Sequence, residues 1–505
     1  MNFPQILVVD LGSPYALQTA RLMRRAGVRA AVLSPEKAQS FLQQTRPQGI
    51  IFSGGTSLPE DGIAETILNQ ADRDSIPYLA TGAGVRLLMS CYQMAGRVSK
   101  EASGYQKRLC RIQTPDRLLF DWPEESSVVT AEPEFTLEPV EGFIEPAQVE
   151  GVGPVIAHSE KLIWGVPFQP GAEQTEWGEK LVNNFLFKVC DCRTDWSVTE
   201  VIEEIREQIK EAVGDKKAVL GYSGGVDSSV IAALLAPVLR DNLYGFTLDG
   251  GHFREKETEE VERHAEAAGM NWELRDRQRE FIRAVGKTVD SEKKRDAFRR
   301  VYKKELEEYT REKQADFIIQ GTLAPDLIES GESGSGALIK THHNVALDLE
   351  AQELHPLAPF FKDEVRELAR ALELPDSVVN RHPFPGPGLF VRIMGQPVSG
   401  KKLDILRWAD ARAREVIAEK GHSGFSQLVI AMPCVKIVGI KDDGRGYEYP
   451  VIVRAVETSD FMTAKGHIFP DQVRIALEEA LTKHSEISRV WFDMNDKPPA
   501  TVEFE

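Results

Sequence analysis

The sequence predicts an α/β protein with two doubly wound parallel sheets and a small C-terminal α+β domain. Short β-branched runs alternate with amphipathic helical patterns from residue 6 onward, and the same alternation begins again near Ser197. The end of the chain differs, because a helix, several strands, a helix and a strand follow one another there. A length of 505 residues has room for about two to four domains.

The first series opens with a strand, a helix and three further strands. The predicted strands are ILVVD (6–10), AAVLS (30–34), GIIFSGG (49–55) and YLATGAG (78–84), and the predicted helix runs from Tyr15 to Ala26. The pattern weakens between Glu101 and Glu150, where we assign no element.

The second series opens with the helical segment VTEVIEEIREQIKEAV, whose residues Val201, Ile202, Ile205 and Ile209 fall on one face. Strands are predicted at KAVLGYS (217–223), LYGFTLDGG (243–251) and DFIIQG (316–321). The segment RHPFPGPGLF (381–390) is too rich in Pro and Gly for a regular helix or a central strand. It therefore indicates a boundary or a shaped loop.

Composition limits the classes of function. The formal net charge of −17 argues against a dedicated nucleic-acid binder or a binder of anionic membranes, although a nucleotide substrate remains compatible with it. No apolar run approaches the roughly 20 residues needed to cross a bilayer, and the first residues lack the pattern of a signal peptide. The 5 Cys fit neither a disulfide framework nor a zinc site, so we expect a reduced, cytoplasmic protein.

The motif with the most chemical content is SGGVDSS (223–229), which lies between a predicted strand and an apolar helix. A glycine turn at a helix N-terminus presents free N–H groups and the positive end of the helix dipole to an anion. No Gly-Lys-Ser/Thr follows, so this is not a Walker A loop. A simple helix cap is the alternative, but two glycines, three serines and one acid together favour a cradle for pyrophosphate.

This segment resembles the pyrophosphate loop of the ATP pyrophosphatases. Further motifs resemble the GMP synthase family: QGTLAPDLIESG (320–331), IKTHHNV (339–345), RHPFPGPGL (381–389) and the terminal KPPATVEFE. Residues 1–195 are similar to a class I glutamine amidotransferase domain. The resemblance implies three domains: an amidotransferase-like domain (1–195), an ATP pyrophosphatase domain of the adenine nucleotide α-hydrolase type (196–381), and a C-terminal dimerisation and nucleotide-binding domain (382–505).

The family resemblance implies an activity. In GMP synthases the O2 oxygen of xanthosine monophosphate (XMP) attacks the α-phosphate of ATP, and ammonia then displaces AMP from the adenylated purine. ATP and Mg²⁺ are therefore the expected substrate and cofactor, with Asp227 as a magnesium ligand. The residues implied to bind ATP or its pyrophosphate are Ser223, Gly224, Gly225, Asp227, Ser228, Ser229, Leu248 and Asp249.

The resemblance also implies catalytic residues. Asp326 and Glu329 are three positions apart, which puts both carboxylates on one face of a helical turn. Lys340, His342 and His343 match the lid of the family. Two departures from the family pattern stand out. Gly250 follows Asp249, where the family usually continues Asp-Asn-Gly. Ala346-Leu347 follows the HHNV motif, where the family has two glycines.

A last set of residues is implied to bind XMP. In this set Arg and Lys suit the 5′-phosphate, and Glu503 would accept hydrogen bonds from purine N–H groups. The set consists of Arg295, Pro385, Gly386, Gln427, Arg489, Lys497, Thr501 and Glu503. The family also implies a homodimer formed through the C-terminal domain.

The amidotransferase-like part lacks the residues of its catalytic triad. The family elbow Gly-x-Cys-x-Gly appears as Ala80-Thr81-Gly82-Ala83-Gly84, so Gly82 stands at the nucleophile position. The downstream His-Pro-Glu appears as Gln169-Pro170-Gly171. We reject Cys91 as a substitute because it lies in the following helix, and His158 has no cysteine partner. The prediction is a domain without glutaminase activity, with ammonia supplied freely or by a separate glutaminase.

Two other hypotheses remain open from the sequence. A paralogue of specialised metabolism would adenylate a related purine or add another nucleophile, as the departures at Gly250 and Ala346-Leu347 suggest. A pseudoenzyme would bind nucleotides and regulate a partner, but the intact SGGVDSS, PDLIES and KPPATVE segments argue against it.

Overall fold

The structure, a computed structural model, describes residues 4–55, 62–98, 105–122, 127–131, 135–138, 140–329, 339–340, 351–381, 384–441, 444–458 and 463–504. The chain divides into two compact units. The first is formed by residues 1–205, 321–340 and 355–368, and the second by residues 206–320, 341–354 and 369–505. Among the described residues, no helix is both long and apolar enough to cross a membrane.

Helices alternate with strands over much of the described chain. They are α1 (Ala16–Arg25), α2 (Pro35–Leu42), α3 (Ile63–Arg73), α4 (Val85–Cys91), α5 (Gly178–Asn184), α6 (Val198–Val213), α7 (Val226–Leu239), α8 (Glu257–Ala267), α9 (Gln278–Val285), α10 (Ser291–Lys313), α11 (Ala324–Glu329), α12 (Lys362–Ala371), α13 (Asp376–Val379), α14 (Gly400–Glu419) and α15 (Asp471–Leu481). The helices predicted from Tyr15 to Ala26 and from Val198 to Val213 are confirmed.

The first unit is built on a nine-stranded mixed sheet and a separate two-stranded pair. Its strands are β1 (Ile6–Leu11), β2 (Ala30–Leu33), β3 (Gly49–Gly54), β4 (Tyr78–Gly82), β5 (Ala95–Val98), β6 (Gln106–Ile112), β7 (Ser127–Ala131), β8 (Phe135–Glu138), β9 (Phe143–Val149), β10 (Gly153–His158) and β11 (Ile163–Val166). The strand order of the large sheet is β2-β1-β3-β4-β11-β10-β9-β6-β7, and β5 pairs with β8.

The two halves of this sheet differ in strand direction. Strands β1–β4 and β11 pair in parallel, which confirms the parallel sheet that the sequence predicts. Strands β6, β7, β9 and β10 pair antiparallel, mostly in the segment where we assigned no element. Every residue of β1, β3 and β4 is buried, as expected for parallel strands that are covered on both faces.

The second unit contains a parallel sheet. The middle of the chain contributes β12 (Ala218–Gly221), β13 (Leu243–Asp249), β14 (Asn271–Asp276), β15 (Phe317–Ile319) and β17 (Gln352–Leu354) to it, whereas the short β16 (Ile339–Lys340) belongs to the residues of the first unit. Within the second unit, the parallel strands run in the order β14-β13-β12-β15-β17. The three strands predicted between residues 217 and 321 are confirmed as β12, β13 and β15.

The C-terminal part of the second unit forms a second, smaller sheet. Its strands are β18 (Gln427–Ala431), β19 (Ile437–Lys441), β20 (Gly444–Glu457), β21 (Lys465–Gly466) and β22 (Ile487–Asp493). β20 pairs antiparallel with β18, β19 and β21 and parallel with β22. The helices α14 and α15 supply buried apolar residues to the same core as these strands. This arrangement agrees with the predicted α+β pattern.

Candidate functional site

The expected pyrophosphate loop is a tight turn between β12 and α7. Gly224 has a φ of +69°, and a Cβ at this position would lie 2.5 Å from Cγ2 of Val261. Both the left-handed backbone and the lack of space for a side chain therefore require glycine here. The helix α7 begins at Val226 directly after the turn. The first N–H groups of a helix have no acceptor within it, so the turn offers them to an anion.

The serines of this loop bond to one another and to the turn. The Ser228 hydroxyl donates to the Gly225 carbonyl at 3.1 Å and lies 3.2 Å from Ser223 Oγ, which accepts from the Gly225 N–H at 3.3 Å. Ser229 is buried, and its hydroxyl lies 3.2 Å from that of Tyr222. Ser223 is exposed to solvent at the surface of the turn, whereas Ser229 lies in the interior at the start of α7. Asp227 lies half-buried in the first turn of α7.

An arginine that sequence reasoning missed holds the loop in place. Arg381 donates from Nη1 to the Gly224 carbonyl and pairs through Nη2 with the buried carboxylate of Glu257. Glu257 Oε2 also accepts from the Arg254 N–H at 2.7 Å. Arg381 opens the Pro/Gly-rich segment, which was the only signal available, and nothing in the pattern identifies Glu257 as its partner.

The end of β13 forms the neighbouring edge of this region. Leu248 is buried in the core, and Asp249 accepts from the Gly251 N–H at 2.8 Å and from Gln278 Nε2 at 2.7 Å. A side chain on Gly250 would meet Phe281 Cγ at 2.9 Å. The departure from the family pattern at Gly250 therefore coincides with a ring that occupies this space.

Helix α14 anchors the same loop from the other side. Arg407 donates from Nη2 to the Gly251 carbonyl at 2.8 Å and from Nε to the Phe253 carbonyl at 3.1 Å. The loop that follows β13 is thus held by two side-chain hydrogen bonds from one residue. Sequence reasoning placed this helix but gave Arg407 no role.

The structure brings together three residues of the predicted XMP set. Gln427 Nε2 donates to Glu503 Oε1 at 2.8 Å, and the Thr501 hydroxyl donates to the Glu503 backbone carbonyl. Arg392, which sequence reasoning missed, donates to Glu503 Oε1 at 2.8 Å and to Oε2 at 3.1 Å. Arg392 is 1% exposed and also lies 3.3 Å from Asp410 Oδ1.

Asp410 is the buried carboxylate of this cluster. Burial alone would raise its pKa, but the charges of Arg414, Arg254 and Arg392 hold the pKa below its usual range. Arg414 Nε lies 2.7 Å from Asp410 Oδ2, and Arg254 Nε lies 3.4 Å from the same oxygen. Asp410 is therefore an ionised anchor for three arginines.

The remaining residues of the predicted XMP set are more dispersed. Arg489 is exposed on β22, and Arg295 lies half-buried on α10, where its Nε is 3.6 Å from Glu292. Lys497 exchanges backbone hydrogen bonds with Ala464. Pro385 and Gly386 lie in a turn that the Gly388 N–H closes by donating to the Pro385 carbonyl at 2.8 Å. For these residues the predicted binding roles stay predictions.

The predicted catalytic residues are only partly described. Asp326 and Glu329 both lie in α11, three positions apart as expected. The Asp326 carboxylate is exposed and accepts from the Leu323 N–H at 2.8 Å, which closes the first turn of the helix. Lys340 ends β16. The side chains of Glu329 and Lys340, together with His342, His343 and Ala346-Leu347, lie outside the described residues.

The amidotransferase-like unit retains the backbone of an elbow. Gly82 ends β4 with a φ of +57°, in the left-handed region. A Cβ on Gly82 would lie 2.1 Å from Nε2 of Gln169, and Gln169 is fully buried. The Gln169 amide donates to the Gly54 carbonyl at 2.8 Å. The space next to the nucleophile position is therefore filled by a hydrogen-bonded amide.

The third predicted triad position is also closed. A Cβ on Gly171 would lie 2.7 Å from both the backbone nitrogen and Oγ1 of Thr19, and the Thr19 hydroxyl is itself bonded to the Tyr15 carbonyl at 2.9 Å. A glutamate at this position would displace the first turns of α1. The predicted triad positions 82, 169 and 171 are therefore closely packed.

A buried carboxyl group lies at the end of β1 in the same unit. Burial raises the pKa of Asp10 to about 6, although the N–H groups of Ser13 and Gly12 partly oppose the shift by donating to Oδ1. Its other oxygen is buried and has no hydrogen-bond partner among the described residues. Asp10 therefore takes up a proton under mildly acidic conditions in the folded state.

Cys91 and His158 lie in surroundings that do not favour a nucleophile and its base. Burial, together with the nearby charges of Glu65 and Asp72, raises the pKa of the Cys91 thiol to about 11. His158 Nδ1 accepts from the N–H groups of Glu160 and Lys161, both at 3.1 Å, and burial lowers its pKa. A thiol with a raised pKa is a poor nucleophile near neutral pH.

Family profiles match the chain in three successive segments. Residues 7–189 match "Glutamine amidotransferase class-I", residues 197–322 match "NAD synthase", and residues 414–504 match "GMP synthase C terminal domain". A chain that joins an amidotransferase-type segment to an NAD synthase-type segment belongs to the class of ATP-dependent ligases.

Full-length relatives refine this class. The chain is 35% identical over 520 residues to the "GMP synthase [glutamine-hydrolyzing]" of Aquifex aeolicus, with 99% of each chain covered. It is 34% identical over 514 residues to the protein of the same name from Treponema denticola, with 99% of this chain and 97% of that relative covered. The chain belongs to the GMP synthase family.

Proposed function

We propose that this chain converts XMP to GMP through an adenylated purine, with ATP as the activating substrate. Its ammonia comes from solution or from a separate glutaminase. The observation that carries the second part is the Gln169 amide, which lies where the Cβ of a nucleophile at position 82 would be. Glycine forms no thioester with glutamine, and an amide accepts no proton near neutral pH.

The synthetase half supports the first part. The loop 223–229 keeps a left-handed glycine, an exposed serine and Asp227 at the start of α7. Arg381 donates to the Gly224 carbonyl of this loop and pairs with Glu257, so the backbone of the loop is held in place. These groups suit a pyrophosphate because backbone N–H groups and the helix dipole both favour negative charge.

The chemistry balances as two displacements. The O2 oxygen of XMP attacks the α-phosphorus of ATP, the bond from that phosphorus to the bridging oxygen of pyrophosphate breaks, and one ring N–H of the purine gives up its proton. Ammonia then attacks C2, the C2–O2 bond breaks, AMP leaves with the oxygen, and a proton is released. The loop 223–229 would hold the departing pyrophosphate, and Glu503 would orient the purine.

Asp227 fits the role of a magnesium ligand. It is a partly exposed carboxylate beside the phosphate loop, and Mg²⁺ prefers oxygen ligands. Among the described residues, no three His, Cys, Asp or Glu side chains are grouped so that they could hold a metal ion. The ion would therefore depend on phosphate oxygens of the substrate, and it would neutralise the charge of the pyrophosphate.

We further propose a homodimer through the C-terminal domain, with domain boundaries at 1–195, 196–381 and 382–505. The hairpin of β19 and β20 exposes Val438, Ile440 and Tyr447, and Val438 pairs directly with Tyr447 across the two strands. Apolar side chains side by side on a hairpin surface suit burial against a second copy of the chain.

The test is a nitrogen-source assay. The purified protein receives ATP, Mg²⁺ and XMP with ammonium, with glutamine, or with glutamine plus an added glutaminase, and GMP, AMP and pyrophosphate are measured. We expect GMP with ammonium and with the added glutaminase, and none with glutamine alone. GMP from glutamine alone would overturn the ammonia proposal.

The same assay separates the alternatives. Pyrophosphate released only with another purine nucleotide would replace XMP as the acceptor, and no turnover with any purine would favour a nucleotide-binding pseudoenzyme. The Asp227→Ala protein, assayed with every nitrogen source, controls for a contaminating synthetase.

A further inference from the structure

Glu503 has almost no free capacity to accept hydrogen bonds. An ionised carboxylate offers about four acceptor positions, two on each oxygen. Arg392 and Gln427 both donate to Oε1 at 2.8 Å, and Arg392 also donates to Oε2 at 3.1 Å. Donors among the described residues take three of about four positions, and the position that they leave lies on Oε2. The side chain is still 17% exposed, so a ligand can reach it.

The guanidinium of Arg392 is held in one orientation by its contacts with Glu503 and Asp410. All three guanidinium nitrogens are engaged, because Nε and Nη2 donate to Glu503 and Nη1 lies 3.3 Å from the buried Asp410. Its guanidinium also lies over the Phe384 ring, 4.9 Å from the centroid. A planar fork held at every nitrogen can occupy only one orientation, and it passes that orientation to the carboxylate.

Gln427 completes the arrangement from the sheet. It is the first residue of β18 and 4% exposed, so its amide has little freedom to move away from Glu503. The two donors approach from different elements, Arg392 from the turn of residues 388–392 and Gln427 from a strand. The carboxylate is thus held before any ligand arrives.

We propose that Arg392 is a positioning residue that leaves Glu503 one acceptor position, so that this carboxylate takes a single ring N–H of the acceptor purine. This inference rests on the proposed function for the identity of the purine nucleotide. It narrows the expectation from the sequence, in which Glu503 accepts from several N–H groups. A purine nucleotide without a ring N–H would leave Oε2 unpaired and would bind more weakly.

The test compares Arg392→Lys with the wild-type protein. Lysine keeps the positive charge next to Asp410 but donates as a point charge without the fixed fork. The dissociation constants of XMP and of purine riboside 5′-monophosphate, which has no ring N–H, are measured by calorimetry without ATP. We expect the preference for XMP to fall at least ~10-fold in the variant, the size of one hydrogen bond to a charged group. KM for XMP should rise, while kcat changes little and KM for ATP stays the same.

The control is Arg412→Lys, the same substitution on α14 at a surface position whose partners among the described residues are Glu415 and Glu419. It should leave the ratio of the two dissociation constants unchanged. A merely structural role for Arg392 would weaken both nucleotides equally, and that unchanged ratio would overturn the proposal. If wild-type protein binds no XMP and makes no GMP, the proposed function fails instead, so the two failures are distinguishable.

Discussion

The elbow of the amidotransferase-like unit and the phosphate loop of the second unit have the same local construction. Each is a parallel strand that ends in a turn with a left-handed glycine, Gly82 at φ +57° or Gly224 at φ +69°, followed by a helix. They differ in the side chains around the turn. Gln169 fills the elbow, whereas the loop keeps its serines and Asp227. The same strand–turn–helix backbone therefore carries two different sets of side chains.

The largest expected effect concerns the loop of residues 223–229, for which we propose phosphate binding. Asp227→Ala should lower ATP- and XMP-dependent pyrophosphate release by on the order of 10²-fold or more, because the magnesium ion proposed to neutralise the substrate phosphates would lose a ligand. Pyrophosphate release is measured with saturating ammonium. Asp241→Ala, an exposed carboxylate just beyond the same helix, should be close to wild type. If Asp227→Ala retains full activity, the assignment of the phosphate loop is wrong.

A second prediction tests whether the elbow can be repaired. Gly82→Cys should not restore glutamine hydrolysis, and it should lower the free energy of unfolding by about 4 kcal/mol, since a left-handed backbone and a crowded site each cost about 1–3 kcal/mol. Urea unfolding and glutamate release measure the two effects. Gly62→Cys, also at positive φ but in open space, separates backbone strain from crowding. Glutamate release by Gly82→Cys would contradict the comparison.

A third prediction concerns the pH dependence of stability in the elbow unit. The pKa of Asp10 is raised to about 6 in the folded state, so the folded protein binds a proton more tightly than the unfolded chain. Asp10 therefore stabilises the fold below about pH 4, and this contribution of about 3 kcal/mol is lost as pH rises to about 6.

Asp10→Asn should remove this dependence because the amide oxygen still accepts from Gly12 and Ser13 and carries no charge. The free energy of unfolding, measured by urea between pH 4 and 7, should decline less steeply in the variant than in the wild type. Asp74→Asn, an exposed position of the same unit, should reproduce the wild-type slope. Equal slopes for all three proteins would refute the burial argument.

The smallest effect is expected at Cys91. Cys91→Ser should change ammonium-dependent GMP formation by less than about 2-fold, because a half-buried thiol with a raised pKa takes no part in the reaction. Loss of a glutamine-dependent activity in this variant would show that Cys91 is a nucleophile after all.

The sequence predicted the parts of this molecule that depend on local pattern. Strands such as β1 and β3 are apolar on both faces, so their runs of Ile and Val identify them without any tertiary information. The turn of residues 223–229 could be predicted because its glycines and serines are contiguous, whereas its role in binding phosphate stays a prediction. The antiparallel strands β6–β10 were not predicted, since half-exposed strands such as β6 carry little apolar periodicity.

Long-range polar partners could not be predicted in the same way. Arg392 and Glu503 are 111 positions apart, and Arg381 and Glu257 are 124 apart. Arginine and glutamate are most often solvated at a surface, so composition gives no reason to pair them. Only the fold identifies Arg392 and Arg381 as the residues that hold the two predicted sites.

Helix α14 carries two residues that bear on the two proposed binding sites. Arg407 holds the loop next to the proposed ATP site, and Asp410, three residues later, pairs with Arg392 at the proposed purine site. Three residues of an α-helix span about 4.5 Å along its axis. The distance between bound ATP and XMP would then depend on the geometry of the single helix α14. Thermal motion of the surrounding loops would leave that alignment unchanged, whereas a one-residue insertion between these two positions would rotate one anchor by roughly 100° and misalign the substrates.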